Sequence, residues 1–356
     1  MPEDEKKDAE PKSYQTVPHI GLALDPVHVG TGGARLGRVD LTIVRDPVTR
    51  IPKIPGSSLA GVYRTYAAMA RQVRNPNRQV GGQVKPYFPD CAGLGQRGDG
   101  SLTHCRQPTC PICTVFGFAR GRDSAGGFAG LAAFSDAHVL LFPVATREGP
   151  RWVTCPLALR GAGVAVSGVA EDALSRERDS QQPLNLGWLL LPVKKLKDWQ
   201  KVQQRLKALD VPAEILGSLG VVSDKLFSHV VNSNLEVRTS VAINASTGAA
   251  EEGALFTYEA LPRATVLFWD VTCKNPGHFT IDSKPVAFKG NGQTAAIDDV
   301  HEVVAAAHPY LEHLGIGGMG TRGMGRLRVL AQRSPAPPAT QPGQPAAQPA
   351  AQPEVS

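Results

Sequence analysis

Residues 27–64 read VHVGTGGARLGRVDLTIVRDPVTRIPKIPGSSLAGVYR, and the order of elements in this stretch sets the fold. Just before and into it, HIGLALDPVHVG places Ile20, Leu22 and Leu24 at alternate positions, the period of a half-buried strand. Gly30, Gly32 and Gly33 form a loop, VDLTIV continues as a second extended segment, and Asp46-Pro47 signals a turn. Pro55-Gly56-Ser57-Ser58 then introduces a helix. Ser57 or Ser58 would cap it, and Leu59, Val62, Tyr63 and Tyr66 supply its apolar stripe.

Working outward, the far end of the chain repeats this logic. A helix over His301–Leu314 stops at Gly315, GIGGMGTRGMG follows, and RLRVL closes as a strand. Strand–helix–strand early and helix–glycine loop–strand late fit an α+β, ferredoxin-like domain with long insertions. Between them, LAAFSDAHVLLFPV is strand-like and RWVTCPLALRGA begins a further short unit. KLKDWQKVQQRLKALD sets Trp199, Val202, Leu206 and Leu209 at the spacing of an amphipathic helix. Residues 221–272 read as a short helix, strands and a hairpin whose tip is NASTGAAEEG.

Length and charge bound what remains. At 356 residues the chain buries a substantial core, and its net charge of +6 permits a polyanionic partner without requiring one. Residues 1–14 form a polar arm, and 334–356, SPAPPATQPGQPAAQPAAQPEVS, is too poor in apolar surface to fold. The folded domain is therefore expected over 15–333. No apolar run is long enough for a membrane span, and the charged N-terminus lacks the core of a signal peptide. The expected location is the cytoplasm, where six cysteines argue against a disulfide framework.

Four of those six fall in Cys91-x13-Cys105-x4-Cys110-x2-Cys113, with His104 beside Cys105. A Cys-x-x-Cys knuckle supplies two soft ligands from one tight turn, and a tetrahedral zinc needs four. The spacing predicts a structural Zn²⁺ stapling the polar segment 74–114. It leaves open whether Cys91 or His104 completes the set. The second motif, GIGGMGTRGMGRLRV at 315–329, lets backbone approach a ligand closely, while Arg322 and Arg326 add charge. It matches neither the P-loop nor the dinucleotide fingerprint; glycine with arginine at this density favours nucleic acid over a small nucleotide. Asp40 reads equally as a salt-bridge partner of Arg38 or Arg45. His28, beside the first glycine loop, reads as a packing residue. No nucleophile elbow, HExxH or two-metal carboxylate cluster is present.

Four segments agree, in order, with a known family. HVGTGGARLGRVDLTIVRDPVTRIPKIPGSSLAGVYR, LFPVATREGPRWVTCPLALR, EVRTSVAINASTGAAEEGALFTYEALP and GGMGTRGMGR together resemble the RAMP proteins of CRISPR effector complexes. The likeness is to the type III-B (Cmr) backbone subunit in particular, while CPICTVFG is similar to the knuckle of type III-A (Csm) backbones.

The resemblance implies an RRM-type palm with a β-hairpin thumb drawn from about 221–272. It implies copies stacked in a helical filament on a CRISPR guide RNA, alongside other type III effector subunits and without a membrane. Guide backbone contacts then fall to Arg38, Arg45, Lys53, Ser57, Arg64, Gly318, Gly320, Arg322, Gly323 and Arg326. An aspartate after the first strand cuts paired target RNA in such subunits, and Asp40 matches it; Mg²⁺ or another divalent cation would assist. The alternatives are a non-catalytic guide-binding subunit and a zinc-stapled enzyme acting on a small phosphorylated ligand.

Overall fold

The computed structural model describes residues 12–32, 39–93, 104–119, 126–251, 254–289 and 293–330. The expected arm over 1–11, the tail over 334–356 and Arg38 lie outside the described residues.

Four strands form the centre: β1 (Tyr14–Ala23), β2 (Ala137–Thr146), and, far down the chain, the two that will be called β10 (Val266–Lys274) and β11 (Leu327–Val329). Their order across the sheet is β11-β1-β10-β2, with every pairing antiparallel. Helix α1 (Gly56–Arg74) connects β1 to β2, and α5 (Ile297–Ala305) and α6 (His308–Leu314) connect β10 to β11. This β-α-β-β-α-β connectivity is the one anticipated from the two ends of the sequence. β1 opens at Tyr14, the last residue assigned to the polar arm.

The sheet continues past β2 through an insertion. β3 (Gly149–Thr154), β4 (Leu174–Arg176), β5 (Ser180–Leu186), β6 (Leu189–Lys195) and β7 (Leu219–Val221) extend it in the order β3-β7-β4-β6-β5. The β3–β7 and β4–β6 pairs are parallel, so the whole is a mixed sheet; with two short strands off this path, Lys53–Ile54 and Ala132–Phe134, it has eleven strands among the described residues. Helix α3 (Trp199–Ala208) buries Trp199, Val202 and Leu206, the face its spacing predicted. Helix α4 (Asp224–Ser233) leads into the hairpin of β8 (Glu236–Ser240) and β9 (Phe256–Ala260).

Two local expectations are corrected. Neither Ser57 nor Ser58 caps α1; the helix begins at Gly56, and the Asp136 carboxylate accepts the Gly56 N–H at 2.8 Å. An acid from the next strand thus satisfies an orphan donor that a local serine was expected to meet. The single helix over His301–Leu314 is instead two, starting earlier at Ile297 and broken between Ala305 and His308. Pro309 sits in the first turn of α6, where its missing N–H is harmless.

One face of the palm is unusually rich in histidine. His19 on β1 stacks on Trp269 of β10 with centroids 5.5 Å apart. Its Nε2 lies 3.3 Å from Nε2 of His301, and the His308 ring is 5.4 Å away. Burial, and then the neighbouring His301, hold His19 down at about 4. His308 is held at about 3 by burial first and His19 second.

Candidate functional site

The segment after the first glycine loop is extended but makes no regular ladder. It threads between two others. Val44 N–H donates to Val29 at 2.9 Å and Thr31 N–H to Thr42 at 3.1 Å, while Leu41 N–H donates to Thr257 and Glu259 N–H to Leu41, both at 3.1 Å. Residues 27–31, 41–45 and β9 therefore interlock at the root of the β8–β9 hairpin.

Strand alternation sorts β9 into two faces. Phe256 and Tyr258 pack with Leu41, Met319 and Met324 in a small separate apolar cluster. Thr257 and Glu259 meet the polar residues of the threaded segment. Asp40 Oδ2 accepts from Thr257 N–H at 2.7 Å and from its hydroxyl at 2.9 Å. Those two bonds, backbone first, hold the Asp40 carboxyl below its ordinary value, so it is ionised at neutral pH. The side chain is half-buried and reaches solvent.

Glu259 is the hub of this layer. Its carboxylate accepts from Arg45 Nη1 at 2.5 Å, from Arg45 Nη2 at 2.9 Å and from Ile43 N–H at 2.8 Å. Its backbone carbonyl lies 2.7 Å from His28 Nδ1. His28 is buried and packs edge-on against Tyr258, which agrees with its reading as a packing residue.

The glycine loop at 315–325 docks on the same layer. Gly318 N–H donates to the His28 carbonyl at 2.8 Å, Gly325 N–H to Pro26 at 2.9 Å, and the Tyr66 hydroxyl of α1 to Gly315 at 2.7 Å. Gly317 has φ +92°, and a Cβ there would collide with the His28 carbonyl oxygen, so only glycine fits. Beyond this anchored base, Gly318, Gly320, Arg322 and Gly323 are exposed. The Arg322 guanidinium lies 5.8 Å from the Phe256 ring centre, next to the residue that holds Asp40. The two glycine-rich stretches, far apart in the chain, thus share one surface.

The remaining basic residues divide. Ser57 is exposed in the first turn of α1. Arg326 is exposed but pairs with Asp25 at 2.5 Å, a contact weak enough for a phosphate to displace. Lys53 is held by Asp136 at 2.6 Å. Two of the expected RNA contacts have their guanidinium groups engaged within the protein. Arg45 spends its guanidinium on Glu259 and Asn232. Arg64 is turned inward, donating to the Cys91 carbonyl at 2.7 Å and the Gly117 carbonyl at 2.8 Å, with His104 Nδ1 at 3.0 Å.

Arg64 belongs to the cysteine centre. Cys91, Cys105, Cys110 and Cys113 are buried, and their sulfurs lie within 4.8 Å of one another. Tetrahedral zinc with bonds of about 2.3 Å needs sulfurs about 3.8 Å apart, and Cys105 and Cys113 are separated by 3.7 Å. The donor set fits a tetrahedral thiophilic ion. Cys91 stands within this cluster of four sulfurs, whereas His104 is outside it, its Nδ1 3.0 Å from Arg64 Nη2. Cys110 and Cys113 enter from the start of α2 (Pro111–Phe116), whose first turn forms the knuckle.

Four thiolates around a divalent ion would carry two negative charges, one of which a single adjoining guanidinium can offset. Arg78, not singled out from the sequence, supplies it: Nη2 lies 2.9 Å from Cys105 Sγ, and the guanidinium stacks 4.1 Å from the Tyr87 ring centre.

With this geometry in view, likeness to known proteins narrows the reading. The family model of the RAMP superfamily matches residues 22–328. This chain belongs to the RAMP superfamily. A Cmr endoribonuclease Cmr4 of Pyrococcus furiosus is 26% identical over 333 residues, covering 87% of this chain and 94% of that protein. A Csm endoribonuclease Csm3 of Methanothermobacter thermautotrophicus is 30% identical over 109 residues, 31% of either chain. Among solved structures, a chain of the type III-B Cmr-β complex bound to cognate target RNA aligns with TM-score 0.56 at 18% identity, over 90% of this chain and 99% of that one. A crystal structure of Cmr4 aligns with TM-score 0.51 at 19% identity, over 88% and 98%. The RAMP fold, and the long match to a Cmr-type member, are thereby established. Among the described residues no helix is long and apolar enough to cross a membrane.

Proposed function

We propose that this RAMP protein is a backbone subunit of a type III CRISPR effector complex in the cytoplasm. Copies of it stack on a guide RNA beside other effector subunits, and each cuts the guide-paired target RNA once. One observation carries the reading: Asp40 is fixed at the root of the β8–β9 hairpin, in the layer that also carries the exposed Gly318–Gly323 loop and Arg322. The names of the Cmr4 and Csm3 relatives, both endoribonucleases, agree with it.

RNA carries its own nucleophile, so this chemistry needs no protein triad. The 2′-hydroxyl gives up its proton to water as its oxygen attacks the adjacent phosphorus, the 5′-oxygen leaves and takes a proton from water, and the products end in a cyclic phosphate and a 5′-hydroxyl. The protein's task is to hold one nucleotide out of helical stacking so that attack is in line. The β8–β9 hairpin, with Val237, Val241, Ile243 and Leu255 exposed along it, suits that displacement. The depressed pKa makes Asp40 a weak proton acceptor at neutral pH and a good ligand for a hydrated cation. A Mg²⁺ or similar ion there would neutralise charge developing on the phosphate. In the cysteine centre Cys91, Cys105, Cys110 and Cys113 would hold a structural zinc, a role that leaves it out of the chemistry.

A second reading has its own support. The two bonds from Thr257 would also serve if Asp40 only stapled the threaded segment to β9, leaving a guide-binding subunit that does not cut. Both readings require RNA. Protein purified under gentle conditions should carry RNA and form regular filaments, with affinity falling as salt rises. RNA-free protein whose affinity for RNA ignores salt would reject both.

A further inference from the structure

The β5–β6 hairpin holds a tryptophan in water. Trp188 is 82% exposed, and the turn beneath it is rigid. Gly187 N–H donates to Ala145 at 3.0 Å, Asn185 Nδ2 donates to Gly187 at 2.8 Å, and Asn185 Oδ1 accepts from Arg147 N–H at 2.8 Å. Gly187, with φ +62°, leaves no room for a Cβ against Asn234 at the end of α4. A large apolar ring held out in solvent on so well-bonded a turn points to a partner that covers it.

The groove below Trp188, about 690 Å³, tells what kind. Arg45, Arg50, Leu189, His229 and Asn232 line it with Trp188. It shares Arg45 and Arg50 with a second hollow, bounded also by Thr31 and Thr42. Thr42 lies two residues from Asp40. No carboxylate lines either part among the described residues. The Arg50 side chain is exposed and makes no ion pair among the described residues, whereas Arg45, turned to Glu259, contributes field more than contact.

We propose that this groove is a single-strand RNA subsite. Trp188 stacks on a base, and Arg50 with His229 meets the backbone of the same strand that Asp40 addresses. The inference rests on the reading of Asp40 as an RNA-cutting residue and extends it by naming where the nucleotide held out of the guide-paired helix goes. An aromatic platform beside unpaired arginine, in a groove that shares Arg45 and Arg50 with the hollow at Thr42, is the composition that holds unpaired nucleotides without reading sequence. An apolar protein partner would fit Trp188 and Leu190 but would desolvate the exposed Arg50 guanidinium, which makes no ion pair among the described residues.

The test uses the assembled, guide-loaded complex. Trp188→Ala should weaken target-RNA binding about tenfold or more, while Trp188→Phe restores most of it and filament length is unchanged. Arg50→Gln should weaken binding and make it less sensitive to salt. Photo-crosslinking should join target RNA to Trp188. If Trp188→Ala instead shortens filaments and leaves RNA affinity alone, the groove is a contact between subunits and the proposal is wrong. If target RNA crosslinks near Arg322 but never near Trp188, the subsite fails while the proposed function stands. If the complex holds no target RNA at all, the underlying reading has failed.

Discussion

The ion pair of Arg45 with Glu259 offers the sharpest test of how the site is held. Glu259 is 8% exposed at its side chain and Arg45 19%, and the pair is bidentate. Replacing Glu259 with leucine leaves a mostly buried guanidinium without counter-charge and strips the Ile43 N–H of its acceptor. Breaking one side of a buried pair costs about 3–5 kcal/mol, and the partial exposure of Arg45 lowers that to about 2–4 kcal/mol. Arg45→Met should lose a similar amount by leaving the carboxylate alone. The double variant should be less damaged than the sum, with a coupling of about 1–3 kcal/mol, because each single change strands the other group. Urea denaturation of the four proteins measures this directly. Additive losses, with coupling below about 0.5 kcal/mol, would show that the pair is incidental. The same variants should slow target cutting more than guide binding, since the pair positions the segment that carries Asp40.

Three further outcomes follow from other parts of the molecule. Elemental analysis should find about one zinc per chain, and Cys110→Ser should lose it together with thermal stability; metal-free protein with an unchanged melting temperature would contradict the cysteine centre. His19 is buried neutral with its pKa lowered from 6.5 to about 4. Its contribution is therefore complete above pH 6.5 and shrinks as pH falls, so denaturation at pH 5 should show about 2 kcal/mol less stability than at pH 7 from this residue alone. A flat profile across that window would refute the buried cluster. Gly317→Ala forces a side chain into a positive-φ position against the His28 carbonyl. It should destabilise by at least about 2 kcal/mol and reduce RNA affinity, whereas Gly320→Ala, in open space, should be mild in calorimetry.

The parts of this fold legible in the sequence were those governed by local period and turn chemistry. The alternation of Ile20 and Leu22, the stripe of α1 and the knuckle at Cys110–Cys113 all depend on near neighbours. What escaped depended on residues distant in the chain. Ser57 looked like a cap until Asp136, eighty positions on, took the Gly56 N–H. Arg64 looked like a surface charge until the fold turned α1 toward the cysteines. Arg78 lay in a polar stretch with nothing to mark it. Glu259 carried a faint signal, an acid on a strand whose neighbours Tyr258 and Ala260 are apolar, and Thr257 carried none. Asp40 itself was legible only through its resemblance to a family motif. Spacing alone pointed to Arg38 or Arg45 as its partner, and in the fold Thr257 holds it while Arg45 turns to Glu259.

The central claim is that Asp40 is the cutting group of each subunit. The direct measurement is the pattern of target-RNA fragments made by a guide-loaded complex in which every copy carries Asp40→Ala, with divalent cation present. The expected result is undiminished guide and target binding, intact filaments, and loss of the evenly spaced cuts. Cutting at the same positions and rate as the unsubstituted complex would contradict the claim and leave Asp40 as a staple between the threaded segment and β9.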